Sequence, residues 1–246
     1  MTSVDKLITT SSALKEAIAA LSTADFVAID TEFMRESTYY PQLCLVQLCA
    51  GKHAFCVDPL ADGLDLTPLF DLLSNAAITK VFHAGRQDLE IFVHLTGTVP
   101  APVYDTQIAA MVCGLGDQVG YDKLVAHYKH LQIDKSSRFT NWSQRPLSDR
   151  QIHYALDDVI HLAEIYPRVR DDLPANGRDE WVRSELAGLG DIQLYKTDPD
   201  SAYKRIKARN SKPAQVNRLA QLTSWREREA QRRDVPRGRI LRDDTL

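Results

Sequence analysis

The chain has 246 residues, is 44% hydrophobic and 26% charged, and carries a formal net charge of −3, an ordinary balance for one large globular domain with a smaller appendage. No apolar run approaches the length of a membrane span and the N-terminus has no apolar signal core, which sets aside membrane-spanning and secreted classes and favours the cytoplasm. Cys44, Cys49, Cys56 and Cys113 show no paired zinc spacing and read as small buried thiols of a reducing compartment.

The first strand is FVAIDTEFM, residues 26–34, apolar apart from the acids at its centre. LCLVQLC (43–49) and HAFCVD (53–58) follow as second and third strands, with Gly51-Lys52 as the hairpin turn between them. Residues 64–73 are amphipathic and predict a helix. ITKVFHA (78–84) is a strand, and GRQDLEIFVHL (85–95) a helix with Leu89, Phe92 and Val93 on one face. PVYDT (102–106) is a short strand, and residues 106–112 and 121–128 are further helices. Ser148 opens a strong helix, with Gln151 three residues on completing a capping box and Ala155, Val159, Leu162, Ala163 and Tyr166 forming its buried stripe. Early strands, then helices alternating with strands, predict an α/β fold: a mixed sheet flanked by helices.

The pattern changes after Leu189. Residues 191–209 are polar and turn-rich and read as a linker. A basic helix over 213–233 follows, with Val216, Leu219, Ala220, Leu222 and Trp225 as its stripe. From Lys204 onward there are 13 Lys and Arg against 5 Asp and Glu, so an acidic body carries a basic tail. That asymmetry fits a nucleic-acid enzyme whose catalytic part binds cations; it fits a solvated helical appendage as well.

Residues two apart on a strand face the same way, so Asp30 and Glu32 project together. Two carboxylates side by side in an apolar setting need a proton or a cation, unless the strand end emerges into water. Asp88 lies in the first turn of a helix directly after a strand, at the sheet edge where open α/β folds build sites; alone, it could simply complement the helix dipole. Tyr154 and Asp158 are four apart on one helix face, a spacing that a core-edge tyrosine and a surface acid would share. Together these groups form a set of hard oxygen donors of the kind magnesium or manganese prefers. Two such ions about 4 Å apart stabilise the attacking and leaving oxygens of an in-line phosphoryl displacement.

DTEF, HAGRQDLEIF and YALDDV, in this order, resemble the three motifs of the DEDD exonuclease superfamily, and the tyrosine four residues before the last aspartate marks its DEDDy branch. The longer words DTEFMRESTYYPQLCLVQL, ITKVFHAGRQDLEIF, DTQIAA and DKSSRFTNWSQRPLSDRQIHYALDDV resemble the ribonuclease D family. This resemblance implies a ribonuclease H-like fold, with a nuclease domain over residues 1–190 and the linker over 191–209. Residues 210–246, which include WREREAQRRDVPRGRILRDDTL, resemble the start of a helicase-and-RNase-D C-terminal (HRDC) domain. About one third to one half of one such domain fits there, too little chain to bury a complete helical core.

The resemblance also implies roles. Asp30, Glu32 and Asp158 would ligate one metal ion, Asp30 would bridge to a second, and Asp88 would support that second site directly or through water. Tyr154 would position, and help deprotonate, the attacking water. Asp157 lies about 100° around the helix from Asp158 and is a poor ligand candidate. The implied cofactors are two divalent ions, Mg2+ or Mn2+. The implied activity is 3′→5′ exoribonucleolytic trimming of tRNA precursor 3′ ends by a monomer that needs no membrane and no nucleotide cofactor. A related exonuclease acting on short oligonucleotides or single-stranded DNA is the alternative; a non-catalytic RNA-binding module fits poorly, because the four acids and the tyrosine are all present.

Substrate contacts are less sharply marked. Phe33 and the TYYPQL segment (38–43) offer aromatic faces on which bases stack, or else form a packed loop. His83 ends a strand beside Asp88, where a contact to ribose or phosphate competes with a structural hydrogen bond. Arg138, Trp142 and Arg145 lie on the loop before the last motif, near the substrate in the enzymes this sequence resembles. Asp105 reads as a helix cap or a group supporting the ligands. GLGDQVG (114–120) lacks the spacing and context of a dinucleotide fingerprint and reads as a turn, and His127 and His130 have no third ligand.

Overall fold

The computed structural model describes residues 6–175, 177–206 and 212–246. Near the start, β1 (Leu7–Ile8) is followed by α1 (Ser11–Leu21). The Thr10 hydroxyl caps α1 by accepting the Ala13 N–H at 3.4 Å, and Leu14, Ala17, Ile18 and Leu21 bury one stripe. Both elements precede those expected from the sequence.

β2 (Phe26–Met34), β3 (Gln42–Ala50) and β4 (His53–Val57) follow. β3 is buried at every residue but Gln42, the pattern of a strand covered on both faces. With β5 (Thr79–Phe82) and β6 (Val103–Asp105) they form a six-stranded sheet ordered β1-β4-β3-β2-β5-β6. β3 and β4 are antiparallel, while β1–β4, β2–β5 and β5–β6 are parallel. The sheet is mixed, as the element pattern predicted.

The helices between and after the strands are α2 (Thr67–Ser74), α3 (Arg86–Thr96), α4 (Thr106–Val112), α5 (Tyr121–Lys129), α6 (Asp149–Ala175) and α7 (Asp179–Leu189). α6 packs on β4 and β5. Ala109, Leu124, Val125, Ile165, Val169 and Val182 join α4, α5, α6 and α7 in one apolar cluster, which fixes the long helix against its neighbours. Lys80, in the middle of β5, is fully buried. Its ammonium donates to the carbonyls of Asn75 and Ile78, 2.8 Å each, and of Ala101. Burial pushes its pKa down to about 8.

The described residues fall into two units. The first comprises Met1–Phe33 and Leu43–Ile192, the second Met34–Gln42 and Gln193–Leu246. In the second, α8 (Pro213–Arg233) and α9 (Arg237–Ile240) pack together. The predicted linker is shorter than expected: Pro199–Arg205 forms a 3-10 turn that packs on α8 with Ala202 buried, so residues 193–206 belong to this unit; the rest of the expected linker, from 207, lies outside the described residues. Leu219, Leu222 and Trp225 do not build a wide apolar stripe. The buried face of α8 is instead polar, made by Thr223, Ser224, Arg226 and Glu227 beside Ala230. Several of the tail's arginines are paired locally, with Arg226 bonded to Asp243 at 2.6 Å, Arg228 to Asp200 at 2.9 Å and Arg237 to Glu227 at 2.5 Å.

The segment Met34–Gln42, which connects β2 to β3, is held inside this second unit. Asp234 accepts the backbone N–H groups of Tyr39 and Tyr40, each at 3.0 Å, and the Tyr39 hydroxyl bonds to buried Glu227. The Arg237 guanidinium lies over the Tyr39 ring, 5.0 Å from its centroid. The ring face offered by TYYPQL is thus already covered at Tyr39, which is the packed-loop reading of that segment.

Candidate active site

Burial of Val27, Ala28 and Ile29 pins β2 in the sheet, and the strand emerges at its carboxyl end with Asp30, Thr31 and Glu32. β5 runs parallel beside it, paired from Phe26–Thr79 to Ala28–Val81, so the turn from β5 into α3 arises next to the two acids. That turn needs unusual backbone. Ala84 sits at φ 57°, and a Cβ on Gly85 would come within 2.4 Å of Phe82 Cβ, so no larger residue fits there. The Asp105 carboxylate, at the end of β6, accepts the N–H groups of Ala84 at 3.0 Å, Gly85 at 2.9 Å and Gln107 at 2.8 Å. It caps α4 and braces the turn that carries Asp88, the supporting role expected of it.

Asp30, Glu32 and Asp158 each present an oxygen to a common point, with the three oxygens within 4.8 Å of one another. Asp158 arrives on α6, whose start is set by the predicted capping box: the Ser148 N–H donates to Gln151 Oε1 at 3.0 Å, and the Gln151 N–H to Ser148 Oγ at 3.3 Å. The Tyr121 hydroxyl at the start of α5 bonds to the Asp158 carbonyl and ties the helix down there. Asp88 stands next to this group and accepts a hydrogen bond from the Thr31 hydroxyl. It does not join the convergent trio among the described residues, although its charge bears on Asp30 and Glu32.

The electrostatics are those of buried like charges. Burial first, then the charges of Asp88, Asp158 and Glu32, hold the Asp30 carboxyl well above its ordinary value. Glu32 is pushed up to about 9 by burial and then by Asp158 and Asp88. Asp158 rises to about 7, chiefly through burial, against the hydrogen bond from Tyr154; Asp88 rises to about 6, again through burial, against the bond from Thr31. Left to themselves, these groups retain protons. Hard carboxylate oxygens converging under mutual repulsion are the donor chemistry of a magnesium or manganese site, so the residues fit the ions implied by the sequence.

Tyr154 lies beside Asp158, and burial, then the charges of Asp158, Glu32 and Asp30, raise its pKa far above that of a free phenol. The phenol stays neutral, and its oxygen lone pairs can accept a hydrogen bond from a neighbour. Asp157 turns away as expected and pairs with His153 at 3.6 Å on the solvent side.

The substrate-contact candidates separate. Arg138 is exposed, and its charge lowers the pKa of both Glu32 and Asp158, so it addresses the acidic cluster. Phe33 is half-buried at the end of β2. Three others serve the fold instead. His83 uses both ring nitrogens, Nδ1 with Thr106 Oγ1 and Nε2 with the Val119 carbonyl, each at 3.0 Å. Trp142 is 2% exposed, so no base stacks on it. Arg145 is consumed by Asp58 and backbone carbonyls. Thr31, Tyr121 and Asp58 escape a reading of the sequence, because a hydroxyl or an acid whose partner is 37 to 87 residues away leaves no local pattern.

Known proteins are similar to this chain in sequence and fold. The model of a family described as "3'-5' exonuclease" matches residues 6–174, and that of the HRDC domain matches residues 215–246. Proteins named ribonuclease D from Zymomonas mobilis and Gluconacetobacter diazotrophicus are 51% and 50% identical over 244 and 240 residues, which is 99% and 98% of this chain. The chain spans 63% and 61% of their lengths. The crystal structure of Escherichia coli RNase D superposes with a TM-score of 0.90 at 36% identity, covering 96% of this chain and 63% of that one. Brucella melitensis NrnC with bound Mg2+ superposes at 0.64 with 28% identity, covering 77% of this chain and 92% of that one. With the family model matched from β1 through α6, over the ribonuclease H-like sheet and all the convergent acids, this chain belongs to the 3′-5′ exonuclease family.

Proposed function

We propose that the protein hydrolyses RNA from the 3′ end, one nucleotide at a time, releasing nucleoside 5′-monophosphates, and that it trims the 3′ ends of tRNA precursors in the cytoplasm as a monomer. The observation that carries the chemistry is the convergence of Asp30, Glu32 and Asp158 within 4.8 Å beside a neutral Tyr154. The ribonuclease D name of the relatives and the description of E. coli RNase D as "an exoribonuclease involved in structured RNA processing" support RNA as the substrate.

Asp30, Glu32 and Asp158 would hold one divalent ion, with Asp30 shared with a second and Asp88 supporting it. Bound there, magnesium or manganese supplies charge neutralisation at the phosphoryl oxygens and a more acidic water. The chain's own groups do the rest. Tyr154 keeps its proton beside Asp158, and the lone pairs of its oxygen accept a hydrogen bond from water and fix that water's orientation. The phenol is too weak an acid to give up its own proton near neutral pH, so it orients the water and is not the base that ionises it. Arg138 sets a positive charge at the rim of an acidic site, where an incoming phosphodiester would otherwise be repelled.

Tyr154→Phe keeps the ring and removes the oxygen. It is expected to lower kcat roughly a hundredfold, in the range for positioned proton acceptors, with KM unchanged in steady-state assays. The function is tested by comparing a tRNA carrying a 3′ trailer, a dinucleotide and single-stranded DNA, each with magnesium, manganese or chelator. Preferential trimming of the trailer supports the proposal. Preference for the dinucleotide selects the second reading, which the solved NrnC bound to pGG, 29% identical to this chain, favours.

A further inference from the structure

A guanidinium has five N–H groups, and in Arg145 every one finds an acceptor. Nε donates to Asp58 Oδ2 at 2.7 Å and Nη2 to Asp58 Oδ1 at 2.6 Å, a bidentate pair. Nη2 also donates to the Cys44 carbonyl at 2.7 Å. Nη1 donates to the carbonyls of Trp142 at 2.7 Å and Gln144 at 2.9 Å. Asp58 is 4% exposed, and its carboxylate is further fixed by the Leu60 N–H at 3.0 Å.

These acceptors come from two places. Cys44 lies in β3 and Asp58 directly follows β4, whereas Trp142 and Gln144 lie in residues 130–148, which contain neither helix nor strand. One side chain therefore rivets an irregular segment to the sheet. That segment carries Arg138, whose charge reaches Glu32 and Asp158. It also carries Trp142, whose buried ring lies 6.1 Å from the Tyr154 ring at an interplanar angle of 36°. It runs through Leu147, buried, into the Ser148 cap of α6, and Gln151 of α6 reaches back to Thr140 Oγ1 at 3.2 Å.

We propose that Arg145, anchored on Asp58, is a positioning residue of the nuclease site that acts through Trp142 and the start of α6 on Tyr154. This rests on the nuclease reading of the site. Lysine does not replace arginine here, because it offers three donors from a single point and no bidentate fork. A displacement of about 1 Å at a reacting group costs on the order of a hundredfold in rate.

The test is a double-mutant cycle on the full chain with wild type, Arg145→Lys, Tyr154→Phe and the double variant. It is run on whichever of the three substrates wild type prefers, with thermal melting of each protein. Arg145→Lys is expected to melt cooperatively, to keep KM within about twofold and to lose roughly tenfold to a hundredfold in kcat. In the Tyr154→Phe background the same change should cost less than about threefold, since positions that act through one another are not additive. A raised KM with unchanged kcat would make Arg145 a substrate contact and overturn the proposal, as would an equal loss in both backgrounds. If Arg145→Lys does not fold, Asp58→Asn, which keeps one acceptor oxygen, is measured against the same outcomes. A wild type inactive on all three substrates overturns the nuclease reading along with the proposal, whereas an active wild type matched in kcat by Arg145→Lys overturns the proposal alone.

Discussion

Asp30→Asn is expected to reduce turnover at least roughly a thousandfold while the protein stays folded. Asp30 is the most tightly surrounded of the acids, half-buried and feeling the charges of Asp88, Asp158 and Glu32. Its carboxylate is the group proposed to be shared between two cations. Charge stabilisation by such ions is worth several kcal/mol in the transition state, and each 1.36 kcal/mol is tenfold in rate. Asparagine has nearly the same shape and removes only the charge. In chelator, the same substitution should raise the melting temperature, because the folded chain no longer has to take up a proton or hold a charge at this position. A gain on the order of 1–3 kcal/mol corresponds to about 2–4 °C per kcal/mol for a protein of this size. Single-turnover assays and melting curves in EDTA read the two effects separately. A variant with wild-type rate in magnesium or manganese would refute the assignment.

Metal-free protein is expected to lose stability as pH rises from about 5 to 9, and divalent ions should reverse the loss. The carboxyls of Glu32, Asp158 and Asp88 move from 4.5, 3.8 and 3.8 to about 9, 7 and 6 on folding. Across this window the unfolded chain has released protons that the folded chain still holds, so unfolding becomes easier as the pH climbs. The contribution is full below the unfolded values near 4 and is gone once the pH has passed about 9. A carboxyl held one pH unit above its unfolded value contributes about 1.36 kcal/mol, so the fall amounts to several kcal/mol. Urea titrations in EDTA at each pH measure it, and millimolar magnesium or manganese should flatten or invert the trend by binding only the folded form. Stability that stays level or rises with pH in EDTA would contradict the electrostatic account.

The acids could be read from the sequence because each belongs to a periodic element. Asp30 and Glu32 are two apart on a strand, and Tyr154 and Asp158 four apart on a capped helix, so local geometry alone orients each pair. The mixed sheet followed from the same periodicities. The helix Ser11–Leu21 carries its own signal, a Thr10 cap and an apolar stripe, but it holds none of the motif residues that mark the other elements. Arg145 shows where local reading fails. An arginine on a loop before a metal ligand looks alike whether it meets phosphate or Asp58, and Asp58 is 87 residues away. Lys80 is a similar case: its last acceptor, Ala101, lies 21 residues on, and nothing in ITKVFHA announces an ammonium buried in the sheet.

The second unit includes nine residues from the first fifth of the chain, Met34–Gln42, alongside the described residues from Gln193 onward. Tyr39 and Tyr40 supply the groups that Asp234, Glu227 and Arg237 bind. The unit is therefore not a module that a single cut can detach. Stopping a gene at codon 192 would leave Tyr39 without those partners, and grafting the tail of a relative would succeed only if residues 34–42 travelled with it. Sequence drift in the strand connection and in the C-terminal helices should accordingly be paired, Tyr39 changing only where Glu227 and Arg237 change too.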